Sequence, residues 1–477
     1  MKKLITLCFI FSFLMTPNLV AQQTVYVQSG GSGDGTSEST PYGSFNTALA
    51  DIDSAGDKLI IIGTISLQGI NLTSKSFAFT IEGLNSSSTL QGNGGISRLF
   101  TINGATSADV TFKNLTFLDN NTTLAGGAVL FNNNGGASVT FENCTFSGNS
   151  VTNGAGGGAI WFANGTLNIT DSTFDSNSSS DEAGAIFGQS GTITITNTLF
   201  KSNSVPTKGG AIYALNADFT ITGSTFYDNA TTNTSGASGG AALYVSGAGS
   251  TNSITNCTFF QNRIGLTNNQ DYATIRTDNG TTTVINSLFY DNKTNNGEGS
   301  PADWGSGPNG TQTFNTSIAQ WVSNNIDNLD EGTGSITGIK GGGGTPANLS
   351  ESNLTFNATS GYVEYNTVEE GTDSPIDFGS DGNDVGAWNS GLTLALDEVL
   401  KSNVSIYMNT DSKTIEINHD LDQSLSVKLF TILGSSVMDV KNVSKTAILN
   451  VNQLKTGVYI LVGKSSGRYF SKKLLIN

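Results

Sequence analysis

Asp228 and Asp291 occupy the same sequence frame, each between a Tyr and an Asn, in "TFYDN" and "LFYDN". If these frames stack as layers two steps apart, their carboxylates stand about 10 Å from each other. A pair of carboxyl groups hydrolyses a glycosidic bond when they are roughly 5–10 Å apart, so this pair sits at the outer limit for inversion. The competing reading is two solvated turn aspartates.

The residues beside them suggest binding rather than turnover. With Phe226 pointing inward, strand alternation turns Tyr227 outward, and the same argument applies to Phe260 and Tyr290. Three consecutive layers then expose an aromatic ring, flanked by Asp228, Gln261 and Asp291. Aromatic faces stack on sugar rings and the flanking groups hydrogen-bond hydroxyls, which makes this column a candidate glycan-binding strip. The alternative is that the three rings stack on one another beneath neighbouring loops.

Lyase chemistry on acidic glycans is poorly provided for. Positions 22–390 hold no His, and their cations are three Arg (Arg98, Arg263, Arg276) and seven Lys (Lys58, Lys75, Lys113, Lys201, Lys208, Lys293, Lys340). Calcium has one candidate loop, "DFGSDGND", where Asp377, Asp381 and Asp384 supply hard oxygen ligands between glycines. Its spacing fits no EF-hand, and a plain turn is the other reading. No cofactor is expected otherwise.

The elements that position these residues are repeats. Seven segments end in Phe-x-x-Asn, with phenylalanines at Phe117, Phe146, Phe174, Phe200, Phe226, Phe259 and Phe289, so the steps are 29, 28, 26, 26, 33 and 30 residues. Each unit carries short alternating runs such as "TITIT" between Gly and Asn, which are strand and turn signals. A period of this length built from strands predicts a solenoid with one coil per unit. Equivalent residues then form ladders: a Phe column inside, and a column of Asn120, Asn149, Asn177, Asn203, Asn229, Asn262 and Asn292 bonding along the axis. Cys144 and Cys257 fall in one column four coils apart, roughly 19 Å, beyond the reach of a disulfide, so both are expected free and buried. Two apolar columns follow each "GGA". Leu130, Trp161, Phe187, Tyr213 and Leu243 form one, Val129, Ile160, Ile186 and Ile212 the other, and the pattern does not choose which faces the core.

These motifs resemble known families. "GGAI" with "FxxN", from about Val110 to Asn292, looks like the repeat of polymorphic outer-membrane proteins and their right-handed parallel β-helix relatives. The start, "VYVQSGGSGDGTSESTPYGSFNTAL", is similar to the opening of pectate-lyase-like β-helices, which implies a short capping helix near Ser44 to Asp51. "TDSPIDFGSDGNDVGAW" looks like the closing segment of such domains. The resemblance implies surface display and often adhesion, with no fixed catalytic residues. Farther on, "VKLFTILGSSVM", "LNVNQLKTGVYILV" and "KKLLIN" resemble the type A C-terminal sorting domain of type IX secretion. The chain departs from that pattern at Met408-Asn409-Thr410, where the family usually has Pro-Asn-Pro. The resemblance implies recognition of 404–477 by the secretion machinery and export to the cell surface or beyond.

Composition agrees with that destination. The net charge of −16 leaves nothing to neutralise phosphates, which excludes a nucleic-acid partner. Lys2 and Lys3, then the apolar run from Leu4 to Met15 and the small Ala21, read as a signal peptide over 1–21, and no transmembrane segment is expected. The expected organisation is all-β: a right-handed parallel β-helix over 22–390, with a cap at 22–57, regular coils at 58–292 and irregular coils at 293–390. A linker at 391–403 leads to a small Ig-like β-sandwich at 404–477, where His419, the one histidine, is expected in a surface loop. The expected role is adhesin-like or glycan-binding at a polysaccharide or host surface. The alternative is a polysaccharide lyase or glycoside hydrolase.

Overall fold

The computed structural model describes most of residues 22–294, short strands between 304 and 365, and most of 404–476. The chain divides into two compact units, Met1–Ala347 and Asn348–Asn477. Residues 1–21 and 391–403 lie outside the described residues, as do Asp291, Asp377, Asp381 and Asp384.

The first unit is a parallel β-solenoid. One turn shows how the sequence writes it. Strand Ile160–Asn164 bends at Gly165 (φ +104°), runs on as Thr166–Thr170, and corners at Asp171 (φ +50°). Thr173–Asp175 follows, a second corner falls at Ser176 (φ +58°), and Ser178–Ser179 completes the turn. Both corners are left-handed, a region that Asn, Asp and Gly tolerate best, and the chain places Asn or Asp at Asn114, Asn143, Asp171, Asn197, Asn256 and Asn286 with φ between +48° and +54°. The polar residues that punctuate the repeat are therefore its corners.

Each turn pairs in parallel with the next at equivalent positions. The seven phenylalanines are in register from Phe117 to Phe289. Their side chains are fully buried, with neighbouring centroids 4.4–4.9 Å apart and planes within 8° of parallel. Strand spacing sets that distance, and each ring contributes roughly 1.5–3 kcal/mol of burial. Pairing continues beyond the last Phe-x-x-Asn segment, since Trp304–Asn315 lies alongside Ile275–Ile285.

The asparagine column runs down the core's edge. Asn177 donates its backbone N–H and its Nδ2 to Asn203 Oδ1 (3.0 and 2.9 Å), and donates Nδ2 again to the Phe146 carbonyl (2.9 Å). Its own Oδ1 accepts the matching pair from Asn149. The same pattern repeats from Asn149 through Asn262, so these buried amides are satisfied by their neighbours. At the start of the column, Asn120 Oδ1 is buried without a hydrogen-bond donor.

The amino-terminal end is closed. Helix Phe45–Ala50, capped by Ser44, lays Phe45 against Phe100 at 5.9 Å. Strand Thr24–Gln28 pairs with Lys58–Ile62 on one side and, on the other, bonds to the loop through Gly35 and Tyr42. The loop thus occupies a row of groups that an open edge strand would present to other chains.

The described residues of the second unit hold three antiparallel sheets. One is the pair Leu354–Asn357 and Tyr362–Tyr365, one is made of Val404–Asn409, Thr414–His419 and Thr446–Asn450, and one of Ser436–Val443, Leu425–Thr431, Gly457–Ser465 and Arg468–Ile476. The last two share a core, in which Ile406, Ile415 and Ile417 from the three-stranded sheet meet Val427, Leu429, Leu461 and Ile476 from the four-stranded one. His419 ends a strand instead of lying in a surface loop. It is 8% exposed and its Nε2 meets the Val443 carbonyl at 3.1 Å. Its place in "TIEINH" continues the inward alternation, which outweighs its polarity.

Candidate functional site

The backbone places Tyr227, Phe260 and Tyr290 at equivalent positions of three successive turns, one residue after the Phe column. Tyr227 pairs with Phe260 across adjacent turns and Phe260 with Tyr290. The Tyr227 and Phe260 rings stack at 5.6 Å and 14°. Tyr227 is half-buried, and Phe260, expected to be open, is 5% exposed. Alternation fixed the side on which Phe260 lies, but a ring on the outer side is covered once a neighbouring ring lies on it. Burial pushes the Tyr227 hydroxyl pKa upward, and the Asp228 charge adds to the shift.

Asp228 sits at a left-handed corner (φ +52°), as do Asp119, Ser176, Ser202 and Gln261 in the same column. Its carboxylate accepts from Arg263 Nε at 3.1 Å and from Ser202 Oγ at 3.3 Å. The corner geometry explains why this column holds Asp, Ser, Gly and Gln: each adopts or tolerates φ > 0. Asp228 is thus engaged as an exposed ion pair. Among the described residues, no group of three or more His, Cys, Asp or Glu side chains could hold a metal ion.

The structure resolves the two apolar columns. Val129, Ile160, Ile186, Ile212, Leu243 and Ile275 are in register and face the core. Leu130, Trp161, Phe187, Tyr213, Tyr244 and Arg276 form the outer column. Leu243 therefore belongs to the inner column, and Tyr244 takes the outer place. The slip comes from "GGAAL", where Gly240-Ala241 matches Gly209-Gly210 and shifts the frame by one residue.

This outer column was missed as a site, and it brings aromatic rings, two cations and two carboxylates together. Tyr213 and Tyr244 are each 3% exposed although they lie outside the core. Their rings meet edge to face at 5.1 Å, with Phe187 and Lys208 beside them. Lys208 Nζ lies 5.6 Å from the Tyr213 ring and 5.3 Å from the Tyr244 ring, and pairs with Glu182 at 3.4 Å. Arg276 stands 5.7 Å from the Tyr244 ring and pairs with Asp278 at 2.6 Å; Tyr244 donates its hydroxyl to Asp278. Burial drives both tyrosine pKa values strongly upward, and for Tyr244 the bond to Asp278 adds to the shift. Both phenols stay neutral, so neither is a ready base. The signal was present in "AIW", "AIF", "AIY" and "ALY", an aliphatic followed by an aromatic in each unit.

Beyond these rings, the second half of the long strands is polar, with charges at Glu82, Lys113, Glu142 and Asp218 beside uncharged columns. Thr111, Thr140, Asn168, Thr194, Thr220, Ser253 and Thr283 are in register, one per turn, pointing away from the core. Two residues on, Thr170, Thr196, Thr222 and Thr255 form a parallel column. A shallow cleft of about 340 Å³ near the amino-terminal turns is lined by Asn85, Ser86, Asn114, Leu115, Thr116, Asn143 and Thr145.

Residues 405–477 match the family described as the secretion system C-terminal sorting domain. No curated protein matches the chain. Among the described residues, no helix is long and apolar enough to cross a membrane.

Proposed function

We infer the role of this protein from its destination: it carries a type IX secretion sorting domain, so it is exported across the outer membrane to the surface or outside, with a parallel β-solenoid as its body. We propose that this body is a right-handed β-helix of the pectin-lyase-like kind that acts as a binding or adhesin-like surface for a neutral glycan. On this reading the solenoid extends over 22–390 and 391–403 links it to the sorting domain. The observation that carries it is the flank of registered Thr, Asn and Ser side chains. It offers a hydroxyl or amide at every turn in one column free of charged side chains, on a chain of net charge −16. Turns about 4.8 Å apart approximate the length of a sugar residue in an extended chain, so successive units meet successive turns. Tyr227, Phe260, Gln261 and Tyr290 on the neighbouring sheet are the candidate stacking and amide contacts.

The test is a glycan-array screen of the mature chain alongside a variant carrying Thr194→Glu and Thr220→Glu. Binding lost in the variant, with no new reducing ends or unsaturated sugar from the wild type, is the expected result. Product formation would replace this reading with hydrolase or lyase chemistry and direct attention to Asp228 and Asp291. Equal binding by the variant would remove the flank, and loss on Tyr227→Ala would then move the contact to the aromatic strip.

A further inference from the structure

The outer face of the three-stranded sheet in the sorting unit is built differently from the rest of the described surface. Tyr407 lies directly opposite Glu416, and Glu416 directly opposite Ile448, so the three side chains form one row on one face. Tyr407 is 64% exposed and Ile448 66%, more than any other large hydrophobic among the described residues. An adjacent row is Ser405, Asn418 and Thr446, all exposed, and Thr414 and Asn450 border the other side. Two exposed apolar side chains flanking one carboxylate, rimmed by uncharged polar groups, form an exposed patch of the kind that marks a contact site. The partner sheet is different: Lys428, Lys441 and Lys472 are exposed there.

We propose that the Tyr407–Glu416–Ile448 row is the surface by which a protein of the export machinery docks on this domain. The proposal rests on the sorting-domain match at 405–477, which makes this segment the part of the chain that the machinery reads. Area separates this occupant from a second copy. Three strands of five or six residues present roughly 300 Å², well under the about 800 Å² per partner of a stable interface and in the range of transient encounters. A transient contact suits a handover in which the cargo must be released.

The experiment compares full-length chains in a cell with type IX secretion, measuring surface plus extracellular chain against periplasmic chain. The variants are Tyr407→Ser with Ile448→Ser, Lys428→Ser on the other sheet, and deletion of 405–477. Thermal melts of the purified full-length chains serve as the folding control. The row variant is expected to lose export by about tenfold or more, as for truncated hot-spot residues, with an unchanged melt and with Lys428→Ser exported normally. Normal export of the row variant, while the deletion is retained, overturns the docking face and leaves the sorting domain standing. Normal export of the deletion overturns both. If the melt shifts, Ile448→Thr alone, which keeps a β-branched side chain, replaces the double variant, and its normal export also overturns the proposal.

Discussion

At the scale of single residues, the asparagine column turns polarity into architecture. Asn177 is fully buried and each of its polar atoms has a partner on an adjacent turn. Asn177→Leu keeps the volume but strands two donors on Asn149 and the carbonyl of Phe146. With about 1–3 kcal/mol for each buried group left unmade, the expected loss is about 3 kcal/mol or more, read as a drop in urea midpoint. An unchanged midpoint would show that the column is incidental. The column itself was legible, because seven asparagines recur at one place in the repeat. The exposure of the neighbouring ring was not: alternation gives the side on which Phe260 lies, while its cover comes from Tyr227 on another turn. His419 misled for a related reason, since residue type suggested a loop where strand phase had already set an inward direction.

At the scale of elements, the glycine pairs divide the labour of one turn. Gly209 has φ +69°, so its place calls for a left-handed residue. Gly210 serves close approach: a Cβ there would lie 1.9 Å from the Ala241 carbonyl oxygen and 2.9 Å from the Ala230 nitrogen, both backbone atoms. Gly210→Ala is therefore expected to cost about 1–3 kcal/mol through forced backbone displacement, seen as a lower melting temperature with the far-UV spectrum retained. An equal melt would mean that the turn yields freely. Tyr213 and Tyr244 are buried by one another and by Lys208 although they lie outside the core, which explains why two apolar columns could follow each glycine pair. One packs inside, and the other is covered from outside by its stacked neighbours and by Lys208. Periodicity shows that both columns are apolar, and only the path of the turn distinguishes them.

At the scale of the whole molecule, the ladders make stability depend on neutral interior groups. Cys144 and Cys257 are free and buried, as their four-turn separation anticipated, and burial pushes each thiol up to about 12 from 9.0. The folded chain holds these protons where the unfolded chain releases them. Their contribution is therefore complete below pH 9 and is lost as pH climbs from there toward 12. Tyr213 and Tyr244 shift in the same direction and add to the loss above 10. Urea midpoints are expected to hold from pH 7 to 8.5 and then fall. Replacing both cysteines by Ser, the residue at Ser172 and Ser224 in the same column, should flatten that fall. A slope indifferent to the replacement would refute the assignment. The register of the turns has another consequence. Ser178 and Ser204 are equivalent across one turn, so excising 178–203 would join Asn177 to a residue whose surroundings match those it left. Loss or gain of one such segment removes or inserts a whole turn without composing a new interior. The reach of the protein is in this sense a heritable quantity, adjustable in steps of about 4.8 Å, while the export address at its end stays unchanged.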